Sequence, residues 1–266
     1  MAQVSALKSN SIRDQVSAEE WETRVNLAAC YRLMARYGMT DLIYNHITAR
    51  VPGEPNYFLI NPYGLFYEEI TASSLHKIDH DGNIVLRSPT PLGLNQAGFV
   101  IHSAVHAARR DLNCVIHTHT RAGMAISSMK CGLLPLNQTS MRFYNRISYH
   151  DFEGPAVDLA ERERLVHDLG PNNKAMVLRS HGLLAAGETV GEAFSMIYFL
   201  ENACKAQVDA MSSGAELILC TPDIGEKTAR CFLPDPSLKY GQGYVGEVEW
   251  EALIRRLNEE GSNYAT

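Results

Sequence analysis

Helical spacing of apolar residues is the dominant pattern along this chain. Residues 17–38 begin with a capping box formed by Ser17 and Glu20 and end at Gly38. This predicts a helix of about five to six turns. Apolar residues at helical spacing predict five further helices, over residues 95–110, 121–129, 161–170, 189–214 and 245–261.

Short apolar runs with turn residues between them predict strands. They cover residues 46–51, 57–62, 84–86, 114–119, 146–152 and 174–182. Helices and strands do not alternate regularly, which favours one α/β domain with a largely antiparallel or mixed sheet over a doubly wound parallel sheet. We expect a loose N-terminal segment over residues 1–15 and a single domain over residues 16–266.

Composition narrows the classes of partner. The 266 residues are 45% hydrophobic and 20% charged, with a formal net charge of -6. These values are typical of a soluble globular protein and argue against nucleic acid or an anionic membrane as a partner. The six cysteines form no Cys-x-x-Cys pair, and neither an apolar signal core nor a membrane-spanning run is present. We therefore expect a cytoplasmic protein with reduced thiols.

Two histidines share one face of a predicted strand. In "CVIHTH", His117 and His119 stand two residues apart, so both rings project to the same side while Thr118 projects to the other. A strand offers two ligands to one metal ion in this way. The alternative is a pair of polar residues that line the end of a strand.

A third histidine, His181, ends the strand "AMVLRS" just before Gly182. Three neutral nitrogen donors with one open position are typical of a catalytic zinc site or of another divalent first-row metal. Alternatively, His181 is a turn residue bonded to backbone. The remaining histidines are weaker candidates: a helical pair, His102 and His106, that lacks the zinc-protease pattern; His150, which fits a site or a turn; and His46, His76, His80 and His167, which are expected at the surface or in turns.

Several passages resemble the class II aldolase/adducin family over nearly the whole chain. They are "FLINPYGLFYEEIT", "NQAGFVIHSAVHAARRDLNCVIHTHTRAGMAISSMKCGLLPL", "SYHDFEG" and "VLRSHGLLAAGETVGEAF". The resemblance implies a three-layer α/β/α sandwich and ring-like homotetramers with pockets at subunit boundaries. It also implies that His117, His119 and His181 bind a divalent metal, with Zn²⁺ expected and Fe²⁺ or Mn²⁺ as alternatives.

The departures from the aldolase pattern concern the proton shuttle and the phosphate site. The aldolases carry a metal-binding carboxylate four residues before the helix histidine, where this chain has Gly98, and no acid stands at residues 95–101. Their phosphate-binding Gly-Asn loop and serine pair are also replaced. The matching residues here are Asn45, His46, Gln96 and Ala97. We therefore expect a substrate without a phosphate group.

Other polar and aromatic residues are candidates for roles around the metal. Rings and a planar guanidinium suit a flat or carboxylate-bearing substrate, which makes Asn61, Tyr63, Gly64, Arg142 and Tyr144 candidate substrate contacts. Core and interface packing is the alternative for these residues.

Two further roles need side chains: supplying protons to the reaction and orienting the metal-binding imidazoles. Without the carboxylate, protons have to come from Tyr149, His150 or water. Glu201 matches a glutamate that is common in the family. It is expected to orient a metal-binding imidazole or to pack a helix.

Three functions remain open from the sequence. The first is a metal-dependent lyase, an aldolase or decarboxylase acting on a non-phosphorylated hydroxy, keto or aromatic acid. The second is a non-haem iron oxygenase that uses the same three histidines, because imidazoles suit both zinc and iron. The third is a non-catalytic oligomeric module that resembles the adducin head, to which "NQAGFVIHSAVHAARRDLNC" is especially similar.

Overall fold

The computed structural model describes residues 11–154, 161–233 and 246–266. Its strands are β1 (Ile47–Val51), β2 (Glu54–Ile60), β3 (His76–Asp79), β4 (Ile84–Leu86), β5 (Cys114–Thr118), β6 (Ser148–His150), β7 (Ala175–Leu178) and β8 (Gly182–Gly187). Its α-helices are α1 (Ala18–Arg36), α2 (Gln96–Ala108), α3 (Arg121–Ser127), α4 (Gln138–Met141), α5 (Glu161–Leu169), α6 (Val190–Ser212), α7 (Pro222–Arg230) and α8 (Glu247–Glu259). Short 3-10 helices cover Ile12–Gln15, Tyr67–Glu69 and Ala72–Ser74.

The strands form one sheet in the order β4-β3-β2-β1-β5-β8-β7-β6. All neighbouring pairs are antiparallel except β6 and β7, which are parallel. Because β8 lies between β5 and β7 and is antiparallel to both, β5 and β7 run in the same direction. Their carboxyl ends therefore meet at one edge of the sheet.

Because side chains alternate between the two faces of the sheet, the core consists of separate clusters on the two faces. On β5, Cys114 and Ile116 pack in a cluster with residues of α1, α3 and α6, whereas Val115 packs in a second cluster with α2 and α5. The sheet is therefore covered by helices on both faces. This confirms the predicted three-layer sandwich with a largely antiparallel sheet.

The predicted helices are present, and the last of them, α8, follows the predicted span closely. The strands β3 and β8 and the helices α4 and α7 were not expected. The sequence of β8, "GLLAAG", is rich in glycine and alanine, which have low strand propensity. It forms a strand because it is buried throughout between β5 and β7.

The ends of the chain differ from expectation in one respect. Residues 1–10 of the predicted loose segment lie outside the described residues. The remainder contains a 3-10 helix whose Ile12 side chain is buried, so residues 12–15 are ordered. None of the helices within the described ranges has the length and apolar content needed to cross a bilayer.

Gly182 provides a test of how closely the central strands pack. A Cβ atom at this position would lie 2.2 Å from the carbonyl oxygen of Thr118 on β5. We expect Gly182→Ala to lower the free energy of unfolding by about 2 kcal/mol or more, because backbone must move to relieve the contact. Chemical denaturation measures this change.

Gly93→Ala is the matched control, since a Cβ atom at Gly93 would meet nothing within 4 Å. It should change the free energy of unfolding by less than about 1 kcal/mol. Equal stability of the two variants would contradict the close approach of β5 and β8.

Candidate metal centre

Three imidazoles converge at the carboxyl ends of β5 and β7. His117 lies within β5, His119 follows it, and His181 lies in the tight turn between β7 and β8. Ser180 in that turn has a left-handed backbone with a φ of 53°, which turns the chain directly before His181. Nitrogen atoms of the three rings lie within 4.8 Å of one another. The structure therefore brings together the three histidines that the sequence indicated.

Hydrogen bonds at the Nδ1 atoms of two rings determine which nitrogens carry protons. Nδ1 of His117 lies 2.9 Å from the carbonyl oxygen of Leu183, and Nδ1 of His119 lies 3.0 Å from Oδ2 of Asp41. A carbonyl and a carboxylate only accept, so both Nδ1 atoms donate. Each Nε2 atom then presents a lone pair to the space between the rings.

The Nε2 atoms are close enough to share one cation. Nε2 of His119 lies 2.8 Å from Nε2 of His117 and 2.9 Å from Nε2 of His181. Two facing lone pairs at such a distance repel each other unless a proton or a metal ion lies between them. The donor set therefore fits a divalent metal that prefers imidazole ligands.

The electrostatics keep two of the three rings, His117 and His181, neutral. Burial, followed by the neighbouring His181, His119 and His46, lowers the pKa of His117 well below its usual value. Burial and His119 lower the pKa of His181 to about 4. Uncharged imidazoles at neutral pH are the form that binds a metal ion.

The sequence predicted only some of the residues that surround the three histidines. Asp41, which accepts from His119, lies 78 positions away in sequence, and no periodicity or motif pointed to it. Its neighbour Leu42 has a left-handed backbone with a φ of 48°, so the loop is bent where it meets the site. The predicted orienting residue, Glu201, instead accepts a hydrogen bond from Thr120 and lies 3.4 Å from Nζ of Lys205.

Glu201 therefore contacts Thr120, the residue that follows His119, rather than one of the three histidines. Thr120 caps α3 by accepting from the backbone of Gly123, and it directly follows His119. Burial raises the pKa of Glu201. The contact fixes the turn that leaves the site rather than an imidazole.

The two candidate proton donors have other partners. Tyr149 lies on β6, and its side chain packs on the face of the sheet that α6 covers, whereas His117 lies on the opposite face. Its hydroxyl accepts a hydrogen bond from the backbone nitrogen of Leu133 at 3.0 Å. His150 is buried, with Nδ1 2.7 Å from Asp168 and Nε2 3.6 Å from Glu161. The structure thus places both side chains among packing and ion-pair contacts.

The candidate substrate contacts fall into two separate groups. Arg142 lies between the rings of Phe199 and Phe232, at 3.5 and 3.8 Å from their centroids. The ring of Tyr144 packs on Gly225 of α7. These contacts place Arg142 and Tyr144 in the region of α4, α6 and α7 rather than at the three imidazoles.

The other group consists of Asn61, Tyr63 and Gly64, which follow β2. Asn61 is buried and accepts a hydrogen bond from Tyr31 at 2.8 Å. The ring of Tyr63 lies 6.3 Å from that of Tyr44, in the loop that continues from Asp41. Gly64 adopts a φ of 116°, close to the side chain of Leu92.

His46 differs from the prediction of a surface or turn residue. Its side chain is buried, and its ring lies 4.0 Å from that of His102 and 6.3 Å from that of His117. His76 is also buried, because it packs within β3 and is hydrogen bonded to Leu92 and Ser88. Strand alternation places the His46 side chain on the face of the sheet that α2 covers. The prediction of a surface or turn residue did not take this alternation into account.

Comparison with known proteins gives consistent results. The sequence model of the family described as the class II aldolase and adducin N-terminal domain matches residues 25–208 of this chain. A Caulobacter vibrioides protein named as a candidate class 2 aldolase is 46% identical over 260 residues, which cover 98% of each chain. Alpha-adducin from Rattus norvegicus is 46% identical over 246 residues, which cover 90% of this chain and 33% of adducin.

Solved structures show the same fold. An aldolase II superfamily protein from Pseudomonas syringae has a TM-score of 0.88 and 50% identity, covering 96% of this chain and 100% of that one. An L-fuculose 1-phosphate aldolase from Glaciozyma antarctica has a TM-score of 0.80 and 26% identity, covering 93% of both chains.

Asp41 gives a direct test of how the ligands are oriented. We expect Asp41→Asn to weaken Zn²⁺ binding by about 10- to 100-fold, because His119 loses a charged acceptor on Nδ1. Competition with a chromophoric chelator measures this affinity. His119→Ala should abolish tight binding and leave most of the fold, as judged by circular dichroism.

Asp81→Asn, in an exposed turn, is the control for removing a negative charge. An Asp41→Asn variant that binds Zn²⁺ as tightly as this control would show that the contact with His119 does not orient a ligand.

Proposed function

Because the chain belongs to the class II aldolase and adducin family, we propose that it is a metal-dependent lyase. It would cleave a carbon–carbon bond, as an aldolase or decarboxylase, in a non-phosphorylated hydroxy, keto or aromatic acid. The supporting observation is the convergence of three imidazoles whose Nε2 atoms face one another at 2.8 and 2.9 Å.

Zn²⁺ is the expected ion, with Fe²⁺ or Mn²⁺ as alternatives, because three imidazoles and an open position suit a catalytic site for such metals. When bound, the ion supplies Lewis-acid polarisation of a substrate carbonyl or carboxylate oxygen. Asp41 and the carbonyl of Leu183 hold His119 and His117 in the tautomer that leaves Nε2 free for the ion. This preorganisation lowers the cost of forming the site.

Two observations support a substrate without a phosphate group: the residues at the matching positions of the sequence and the packing of His46. The residue that matches the carboxylate of the aldolases is Gly98, so the usual proton shuttle is missing. His46, at the position of the phosphate loop, is buried against two further imidazoles, His102 and His117. The side chains of Gln96 and Ala97 lie outside the described residues.

A second candidate function is a non-catalytic module like the adducin head. Its support is the 46% identity to alpha-adducin, which equals the identity to the candidate aldolase from Caulobacter vibrioides. Metal binding separates the two proposals, because a lyase needs an ion at the three histidines and a purely structural module does not.

The activity prediction combines two measurements on metal-loaded protein. We expect CO₂ release or aldol cleavage from at least one member of a panel of hydroxy, keto and aromatic acids. We expect no turnover of L-fuculose 1-phosphate or ribulose phosphate above the rate of a His117→Ala control. A typical enzyme rate of about 1 to 1000 per second on either sugar phosphate would contradict the proposed substrate class.

Other outcomes of the same screen point to the alternatives. Oxygen uptake that requires Fe²⁺ would favour the oxygenase over the lyase. Protein that binds no divalent ion at micromolar concentration and turns over no acid would favour the adducin-like module.

We also propose that the chain assembles as a homotetramer, as its resemblance to the family implies. Exposed apolar residues flank the three imidazoles: Leu42 follows Asp41, Met124 lies in α3, and Phe152 lies 6.1 Å from the ring of His181. Clustered exposed apolar side chains are typical of interaction surfaces, and closed symmetry is the commonest form of assembly. Light scattering should give four times the mass of one chain, and a stable monomer at micromolar concentration would contradict the proposal.

A further inference from the structure

A buried hydrogen-bonded network lies behind the metal centre on the α2 side of the sheet. The hydroxyl of Thr48, on β1, lies 2.8 Å from Nδ1 of His102 and 2.8 Å from Nε2 of His106. A hydroxyl has one proton, so it donates to one imidazole and accepts from the other. Both rings are therefore held in a fixed orientation.

This network extends to the metal centre through His46. The ring of His46 lies 4.0 Å from that of His102, and 6.3 Å from that of the proposed ligand His117. The rings of His102, His46 and His117 thus form a continuous row from α2 to β5. His102 belongs to the second layer of side chains around the three-histidine site.

One nitrogen atom of the His102 ring is unsatisfied. Nε2 of His102 is inaccessible to solvent and has no hydrogen-bond partner within the described part of the chain, and the residue is 0% exposed. A buried polar atom without a partner is costly, and such an atom in a folded protein calls for a ligand or an ordered water. Burial, His46 and His117 lower the pKa of His102 well below its usual value, so the ring is neutral.

We propose that Nε2 of His102 binds an uncharged polar group of the substrate, a hydroxyl or a carbonyl, beside the three-histidine site. This rests on the proposed function and narrows its substrate class to acids that carry a second, uncharged oxygen. Thr48 is the positioning residue, because its hydroxyl fixes the ring through Nδ1. An uncharged group is favoured there, because the neutral, enclosed ring of His102 offers a hydrogen bond but no charge.

The test compares acids that differ by one hydroxyl. Isothermal titration of the Zn²⁺-loaded full chain uses two pairs, glycerate with lactate and 4-hydroxymandelate with mandelate. In at least one pair we expect the hydroxylated acid to bind about tenfold more tightly to the natural chain, because it satisfies a buried polar atom. Equal affinities within both pairs would overturn the proposal.

Two isosteric variants separate the nitrogens of His102. His102→Asn retains a polar group near the position of Nδ1, so it keeps the contact with Thr48 and removes Nε2. It should abolish the preference, so that the two acids of each pair bind with equal affinity. His102→Gln reaches the position of Nε2 and should retain part of the preference, so a preference that survives in His102→Asn contradicts the inference.

His76→Asn is the matched control. His76 is also fully buried, on β3, three strands away from β5 in the sheet, so a similar loss of stability should leave the preference intact. Loss of the preference in this control as well would assign the effect to destabilisation and overturn the inference.

The two proposals fail in different ways. Protein that binds no Zn²⁺ disproves the metal-dependent lyase. The pairs are then compared on the metal-free chain by the ¹⁵N chemical shift of His102 Nε2. A shift that only the hydroxylated acid produces supports the inference. No shift with any acid, or a crystal structure of the glycerate complex with only an ordered water on Nε2, overturns it.

Discussion

The close approach of β8 to β5 is the constraint on which the site depends. Gly182 begins β8 with its Cα so near the carbonyl of Thr118 that a side chain would not fit. Because β8 pairs antiparallel with both β5 and β7, those two strands run in the same direction. Their carboxyl ends, which carry His117, His119 and His181, are therefore held at one edge of the sheet.

The polarity of the surrounding hydrogen bonds makes this cluster of rings a candidate set of metal ligands. One Nδ1 atom donates to a main-chain carbonyl of β8, and another donates to a carboxylate of the loop before β1. Both acceptors lie outside the cluster, so the lone pairs face inward. A site built in this way is preorganised for a cation, and burial lowers the pKa values of His117 and His181, which favours their neutral, metal-binding form.

The proposed substrate without a phosphate group rests on two features of this region. Gly98 offers no carboxylate, and the neighbouring space on the α2 side is filled by the rings of His46 and His102. In the proposed function, these imidazole rings stand where a phosphate-binding loop would expose its backbone. Similarity to both candidate aldolases and adducins is compatible with a fold that tolerates such changes at its site.

The sequence by itself determined the local features that have a local physical cause. The parity of a strand placed His117 and His119 on one side, the glycine after His181 marked a turn, and the family resemblance indicated the three-layer fold. Helix spans followed from apolar periodicity and caps. Each of these depends on residues within a few positions of one another, which is the range over which backbone geometry repeats.

Only the tertiary structure decided the partners of these residues. Asp41 meets His119 across 78 positions, and Glu201 contacts Thr120 rather than an imidazole. The strand β8 forms because it is buried between two others, against its own propensity. Contacts of this kind depend on strand order and on which face of the sheet a helix covers, and neither is encoded in the spacing of nearby residues.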